Sequence, residues 1–155
     1  MSRNIFRLAL ALSACALVFA SSGCDTVTGP TGASLAGVWS SAGGDGFTVT
    51  PTSFSYQYGG TEQFAGEIAN APDLSGESGY IVMRVTYRVT DTYPEVGSYY
   101  AVHWKNFSGD GVQEASAYKT GGEHNSGMDT LSAALGEYTV ANGYFGYYGE
   151  YLRDE

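Results

Sequence analysis

The residues able to do chemistry are few and scattered along this chain. His103 falls on the outward face of a predicted strand, and His124 lies in a glycine-rich loop at residues 121–127. Such a loop can hold a metal ion but is more often simply solvated. Asp45 and Asp110 stand between glycines, where a carboxylate ligates calcium or, far more often, hydrogen-bonds the backbone of its own turn. No motif pairs a nucleophile with a base, so we predict no catalytic site, no metal site and no cofactor.

The first residues have the layout of an export signal. Arg3 and Arg7 precede an apolar run at residues 8–20, and small residues follow at 21–23. This order of charge, apolar run and small residues is typical of a secretory signal. The run has 13 residues, whereas a helix needs roughly 20 to cross a bilayer. We therefore predict that residues 1–23 are a removable signal peptide.

Cys24 follows these small residues directly, and its thiol can accept a lipid before the peptide ahead of it is cut. Ser22-Gly23-Cys24 resembles the lipobox of bacterial lipoproteins, with Ser21 where that family usually has Leu. Leu12-Ser13-Ala14-Cys15 also matches a lipobox but leaves a shorter apolar run, and a secretory signal with an incidental cysteine is the remaining alternative. We expect diacylglyceryl and palmitoyl modification of Cys24, with residues 24–34 as a flexible tether. The expected location is the cell envelope, at the outer membrane in preference to the inner.

Charge and length limit the remaining possibilities. Loss of residues 1–23 leaves 132 of 155 residues, and the two arginines lost with them change the formal net charge from −9 to −11. This length suits a single domain with one core, at residues 35–155. Only five Lys and Arg remain, so we exclude nucleic acid as a partner, because phosphate binding requires clustered cations.

From residue 35 onward, apolar and polar residues alternate with the period of two that a β-strand produces. In the clearest run, residues 80–90, one face carries Ile81, Met83, Val85, Tyr87 and Val89. Clusters of Gly, Pro and Asp separate the runs and predict turns. The pattern predicts eight strands, at residues 35–40, 47–50, 53–58, 63–69, 80–90, 99–107, 112–119 and 144–152.

One stretch, residues 129–138, carries apolar residues at helical spacing instead. Leu131, Ala134, Leu135 and Tyr138 recur at i, i+3, i+4 and i+7, which predicts a short helix capped by Asp129 or Thr130. The apolar face of a sheet must be covered, and no second helix is available to cover it. We therefore predict an all-β fold, a small antiparallel eight-strand barrel with one short helix before the last strand.

Gly37-Val38-Trp39, at the start of the first strand, resembles the Gly-x-Trp motif that opens lipocalins and related calycin barrels. In that family the Trp closes one end of the barrel and a late Arg packs over it, but the sequence alone assigns no residue to that Arg. More broadly, residues 35–148 resemble a group of small bacterial lipoproteins. The shared segments are Gly-x-Trp, Phe-x-Gly-x-Ile at 64–68, Ser-Gly-x-Ile at 78–81 and Tyr-Tyr-Ala-Val at 99–102. The resemblance implies a calycin-like barrel at the cell envelope and no particular activity.

Aromatic residues stand out in the composition, with 13 Tyr, 7 Phe and 2 Trp. The alternation places most of them inside the barrel: Phe47, Phe54, Tyr56, Tyr58, Phe64, Tyr87, Tyr100 and Trp104. The small residues predicted to point inward are Gly66, Ala115 and Ala117. A barrel of eight strands is either filled by side chains or holds one small ligand. Tyr99, Tyr144 and Tyr148 are predicted to point outward, where tyrosine suits contact with a macromolecule or a sugar.

Two functions are consistent with these features, and neither is enzymatic. The first is a membrane-anchored recognition or structural module that binds a protein or a glycan. The alternative is a lipocalin-like carrier of a small apolar ligand, which a fully packed interior would exclude. The candidate binding residues are Trp39, Tyr99, Trp104, Tyr144 and Tyr148.

Overall fold

The computed structural model describes residues 33–71, 73–91 and 93–155. Its eight strands are each antiparallel to the next and form a closed barrel, because the last strand pairs with the first. They are β1 (Gly37–Ser40), β2 (Asp45–Val49), β3 (Ser53–Tyr58), β4 (Thr61–Asn70), β5 (Gly79–Arg88), β6 (Tyr99–Lys105), β7 (Gly111–Ser116) and β8 (Gly149–Arg153). Helix α1 (Leu131–Glu137) precedes β8. The predicted all-β barrel with a short helix before the last strand is confirmed.

The helix begins and packs as its sequence predicts. Thr130 is the N-cap, and its hydroxyl accepts a hydrogen bond from the Ala133 N–H at 3.2 Å, which satisfies one of the free donors of the first turn. The buried residue of the helix is Ala134, whose small side chain allows close approach to β5 and β6.

The predicted signal peptide, both cysteines and residues 24–32 of the predicted tether lie outside the described residues. The end of that tether is described, and the carbonyl of Ser34 accepts a hydrogen bond from the Arg153 guanidinium at 2.5 Å. Across the part of the chain that the structure describes, no helix has the length and hydropathy needed to cross a bilayer.

Aromatic rings fill one half of the barrel interior. Trp39 stacks on Phe47 at 5.9 Å between ring centroids, Phe47 on Phe54 at 5.8 Å, and Phe54 on Phe64 at 6.0 Å. The strand pairing explains this row, because residues on one face of neighbouring strands lie side by side. The inward orientation predicted for Phe47, Phe54 and Phe64 is confirmed, and Trp104 is likewise buried.

A second apolar layer lies outside the barrel, and it corrects several predictions. Residues 131–148, which we call the covering segment, pack on the outer face of β5, β6 and β7 through rings such as Phe145, which lies 5.4 Å from the His103 ring. Ala115 pairs with His103, so it faces this layer rather than the interior, as does Ala117. The last strand begins at Gly149 rather than at residue 144, because the chain before it crosses the outside of the barrel.

A β-bulge in β5 reverses part of the predicted alternation. Gly66 pairs with Val85 but Ala65 pairs with Tyr87, so Thr86 is an extra residue without a partner opposite it. Such an insertion switches every later side chain to the other face. Tyr87 was predicted to point inward and is instead 42% exposed. Tyr58, also predicted inward, is exposed where β3 ends.

Candidate functional site

An open cavity of about 520 Å³ lies at one end of the barrel, between the end of β7 and the start of β8. We call it the mouth cavity. Its lining comes from opposite sides of the barrel and is both acidic and aromatic. The lining includes Asp45, Tyr56, Glu114, Ser116, Tyr118, Tyr147, Tyr148 and Tyr151.

The cavity exists because β7 and β8 separate. Their pairing ends at Glu114 opposite Gly149, whereas β7 continues beside β6, with Ser116 opposite Val102. The chain before Gly149 leaves to form the covering segment, so no strand fills the gap. Gly149 also keeps the gap free of a side chain, since a Cβ there would lie 2.7 Å from the Tyr151 ring. The opening is therefore a consequence of the topology and of one glycine.

Glu114 is the most unusual residue of the lining. It pairs with Trp104, which faces the interior, so its carboxyl points into the barrel, and the residue is only 4% exposed. The Ser116 hydroxyl donates a hydrogen bond to Glu114 Oε1 at 3.3 Å. Burial raises the pKa of Glu114 from 4.5 to about 8, and the nearby charge of Asp45 adds to the effect. A buried carboxyl with so high a pKa is the kind of group that functional sites contain.

A second carboxylate, that of Asp45 on β2, faces the cavity from across the barrel. Its Oδ1 is buried and has no hydrogen-bond partner among the described residues. Burial raises the pKa of Tyr56, and the charge of Asp45 raises it further. Burial also raises the pKa of Tyr151, with Glu114 as the next cause. Both phenols therefore stay protonated at neutral pH and present neutral hydroxyls and rings to the cavity.

A smaller cavity of about 270 Å³ adjoins the first and shares Tyr56, Ser116 and Tyr118 with it. Its other lining residues include Phe64 and Tyr100. The Tyr100 hydroxyl donates to the carbonyl of Ala117 at 2.5 Å, so it is satisfied within the fold. The two cavities therefore lie side by side in the mouth half of the barrel.

The opposite end of the barrel is closed. Arg153, the last residue of β8, lies over the Trp39 ring with its Cζ 4.3 Å from the ring centroid. Its guanidinium donates to the carbonyls of Ala36 and Gly109, each at 2.9 Å, besides Ser34. The Trp39 indole N–H donates to Leu35 O at 2.9 Å. This contact between Arg153 and Trp39 was not predicted from the sequence.

Four of the five sequence-derived candidate residues lie away from the mouth cavity. Trp39 and Trp104 are buried in the barrel interior, each at most 1% exposed. Tyr144 was predicted to point outward into solvent but is 2% exposed, because it packs on Tyr138 within the covering segment at 5.0 Å. Tyr99 is half-buried beside Met128. Tyr148 is the one that lines the mouth cavity.

Tyr148 links the cavity to the outer layer. Its hydroxyl lies 2.8 Å from His103 Nδ1, and Lys105 Nζ lies 3.6 Å from the centroid of its ring. His103 is on the outer face as predicted, but the covering segment leaves it only 8% exposed. Burial lowers the pKa of His103, and the charge of Lys105 lowers it further. His103 is therefore a neutral packing residue at physiological pH.

Glu114 was missed in the sequence, although a signal for it was present. Val112 is apolar and leads its strand, so alternation from Val112 would have placed Glu114 and Ser116 inside. The alanines at 115 and 117 instead suggested that the alternate residues of the strand face the interior.

Within the described residues, no three His, Cys, Asp or Glu side chains group together as metal ligands do. The carbonyl of His124, a predicted loop residue, accepts a hydrogen bond from the Tyr138 hydroxyl at 2.6 Å.

No family model, no curated protein and no solved structure matches this chain.

Proposed function

We propose that this protein is a membrane-tethered, non-catalytic binding module that takes a small molecule into the mouth cavity. The observation that carries the proposal is the open volume of about 520 Å³ at the barrel end. Small-molecule sites usually have volumes of about 300 to 1,000 Å³ and combine apolar walls with a few polar groups. A fully packed interior would have excluded a carrier, and only the closed half of this barrel is packed in that way.

The closed end supports a calycin-like carrier in particular. The Gly37-Val38-Trp39 segment opens β1, and Trp39 closes the barrel beneath Arg153. A late Arg over the Trp of the first strand is the arrangement that the resemblance to lipocalins implies. In a barrel that is closed at one end and open at the other, a ligand can enter and leave through the open end, which suits reversible binding.

Membrane tethering remains a proposal from the sequence. The charged start, the apolar run and Ser22-Gly23-Cys24 support a lipid on Cys24 at the cell envelope. A barrel held there by residues 24–34 would meet small molecules in the space outside the cytoplasm. Mass analysis of the membrane-extracted protein tests this, and an unmodified N-terminus would contradict it.

We propose a binding rather than a catalytic role because of what the lining holds. In the described part of the chain, the two cavities are lined by no His, Cys or Lys. A nucleophile paired with a histidine base, as in many acyl-transfer sites, is therefore absent from the described lining.

Recognition of a protein or glycan is the second candidate, and one feature favours it. Tyr118 and Tyr147 lie on the rim, 49% and 71% exposed, with ring centroids 6.1 Å apart. Exposed tyrosine pairs suit contact with a macromolecule. This candidate predicts binding that is lost on changing these two rings but is unaffected by filling the cavity.

A titration with Nile red, a neutral apolar dye, tests the proposed function. The protein is the full chain carrying Cys24→Ala, which lacks the acyl acceptor. We expect saturable binding of one dye per chain and its loss on Ser116→Trp, which fills the mouth cavity. Ser55→Trp, the same change on the outer face of β3, is the matched control and should bind normally. Equal binding by both variants would contradict the proposal.

A further inference from the structure

Two carboxyl groups face the mouth cavity, and no cationic side chain among the described lining residues accompanies them. Glu114 and Asp45 face the cavity from β7 and β2. Of the described residues that line either cavity, none is Lys or Arg. A buried charge in a folded protein is normally paired, so the ionised form of a carboxyl here is unfavourable unless a cation lies beside it.

The partners of the two carboxyls within the protein satisfy them only in part, through hydrogen bonds from the Ser116 hydroxyl to Glu114 and from the Tyr56 hydroxyl to Asp45. Glu114 receives one hydrogen bond, from the Ser116 hydroxyl, although an ionised carboxylate can accept about four. Asp45 Oδ1 is buried without a partner among the described residues. A ligand that brings its own donors and positive charge would satisfy both groups.

The walls between the carboxyls are aromatic. Tyr56 and Tyr151 lie inside, and Tyr118, Tyr147 and Tyr148 stand toward the rim. The faces of such rings are negative, and they attract ammonium groups within about 6 Å of the ring centroid. Tyr148 already makes this contact with Lys105 Nζ at 3.6 Å. The same aromatic rings provide an apolar surface against which the apolar part of a ligand would pack.

We propose that the mouth cavity binds a small organic cation, an amine whose ammonium group lies between Glu114 and Asp45 and whose apolar or aromatic body lies against the tyrosines. This inference rests on the proposed function and adds the class of ligand. The charge pattern disfavours anions such as fatty acids, because both carboxyls would repel their head groups.

Calorimetric titration with three indole compounds separates charge from shape. Tryptamine carries an ammonium group, tryptophol replaces it with a hydroxyl, and indole-3-acetate carries a carboxylate. The protein is the full chain with Cys24→Ala at pH 8. We expect tryptamine to bind about tenfold or more tightly than tryptophol, the usual effect of a charge-assisted hydrogen bond, and indole-3-acetate to bind weakest.

Two substitutions test whether Glu114 and Asp45 cause the preference for tryptamine over tryptophol. Glu114→Gln and Asp45→Asn keep the shape of the side chains but remove their charge, so each should weaken tryptamine binding about tenfold and leave tryptophol unchanged. Glu67→Gln removes one charge from an exposed position on the outer face of β4 and should change neither affinity. Equal losses in all three variants would overturn the inference, because they would show only an effect of net charge.

The pH dependence gives a second readout. The ionisable groups around Glu114 are Asp45 on β2, Tyr56 on β3, Tyr100 on β6, and Tyr148 and Tyr151 near or on β8. The pKa values of all four tyrosines are raised, chiefly by burial, so they stay neutral. Because Glu114 is protonated below pH 8, tryptamine affinity should rise about tenfold or more between pH 6 and 9, and Glu114→Gln should abolish this rise.

The outcomes distinguish this inference from the proposed function. If Nile red binds in the mouth cavity but tryptamine binds no better than tryptophol, the cavity is a binding site and the inference about cations is wrong. If Nile red and all three indole compounds fail to bind, the proposed function fails together with the inference. Tryptamine selectivity that disappears in Glu114→Gln and Asp45→Asn, but not in Glu67→Gln, supports both.

Discussion

At the closed end of the barrel Arg153 lies over the Trp39 ring and donates its hydrogen bonds to three carbonyl groups. At the mouth, Glu114 is 4% exposed and faces an open cavity whose described lining contains no Lys or Arg. Each end places an ionisable side chain among aromatic rings, and Arg153 is the less buried of the two. The closed end satisfies its charge within the chain, whereas the Glu114 carboxyl at the mouth has one hydrogen bond among the described residues, from the Ser116 hydroxyl. This difference supports our proposal that the mouth is the binding site.

Removing a ring from the closed end should have the largest effect. We expect Trp39→Ala or Trp104→Ala to lower the free energy of unfolding by about 3 to 5 kcal/mol, because each leaves a large cavity in a packed interior. Tyr147→Ala removes a ring that is 71% exposed at the mouth and should cost less than about 0.5 kcal/mol. Urea denaturation measures both, and similar losses at the two ends would contradict the comparison.

Arg153→Met tests the paired charge of the closed end. The Met side chain keeps apolar contact with Trp39 but leaves the carbonyls of Ser34, Ala36 and Gly109 without their donor. We expect a loss of about 2 to 3 kcal/mol in denaturant unfolding, in the range for hydrogen bonds from a charged group. Arg84→Met, an exposed arginine on the outside of β5, is the control and should have almost no effect.

Glu114→Gln tests the unpaired charge of the mouth, and here the sign should be the opposite. In the unfolded chain Glu114 loses its proton near its ordinary pKa of 4.5, and in the fold only near 8. The stability it contributes is fully present below pH 4.5 and is lost as pH rises toward 8. We expect Glu114→Gln to be more stable than the wild type at pH 8 by about 1 to 3 kcal/mol.

Thermal unfolding across pH 4 to 9 checks this prediction. The difference between wild type and Glu114→Gln should grow through the window from 4.5 to 8 and remain constant below it. A difference that does not change with pH would show that Glu114 titrates normally and is not buried as described.

Apart from the control variants, Tyr148→Phe should have the smallest effect on the free energy of unfolding. It removes only the hydroxyl that lies 2.8 Å from His103 Nδ1, and a hydrogen bond of this kind contributes about 0.5 to 1.5 kcal/mol. Tyr147→Phe, next in the chain and exposed, should be neutral. Denaturant unfolding of the two variants measures whether the covering segment depends on this contact.

The sequence predicted the barrel well because alternation is a local pattern that repeats eight times. The predictions that were wrong have local physical causes. One extra residue, Thr86, reversed the faces at the end of β5, and a bulge of this kind leaves no mark in a single sequence. The rule of one apolar face and one polar face failed for β6, where Ala101 and His103 lie beneath the covering segment.

The candidate site was harder to predict than the fold. Large aromatic residues stand out in the sequence, but most of them pack in one of the two apolar layers. The mouth cavity depends on where β7 and β8 part and on the absence of a side chain at Gly149, which only the assembled barrel reveals. The pairing of Glu114 with Trp104 shows that Glu114 faces the interior, and this orientation was not predicted from the sequence.

The most direct test of the contrast between the two ends is an NMR titration of the ¹⁵N-labelled full chain, carrying Cys24→Ala, with tryptamine. The structure predicts that the largest shifts occur in the backbone amides of Asp45, Glu114 and Gly149, at the mouth. The indole N–H signal of Trp39, which is hydrogen-bonded at the closed end, should not move. Shifts that are largest at Trp39, or that spread over the outer faces of β3 and β4, would contradict a binding site at the mouth.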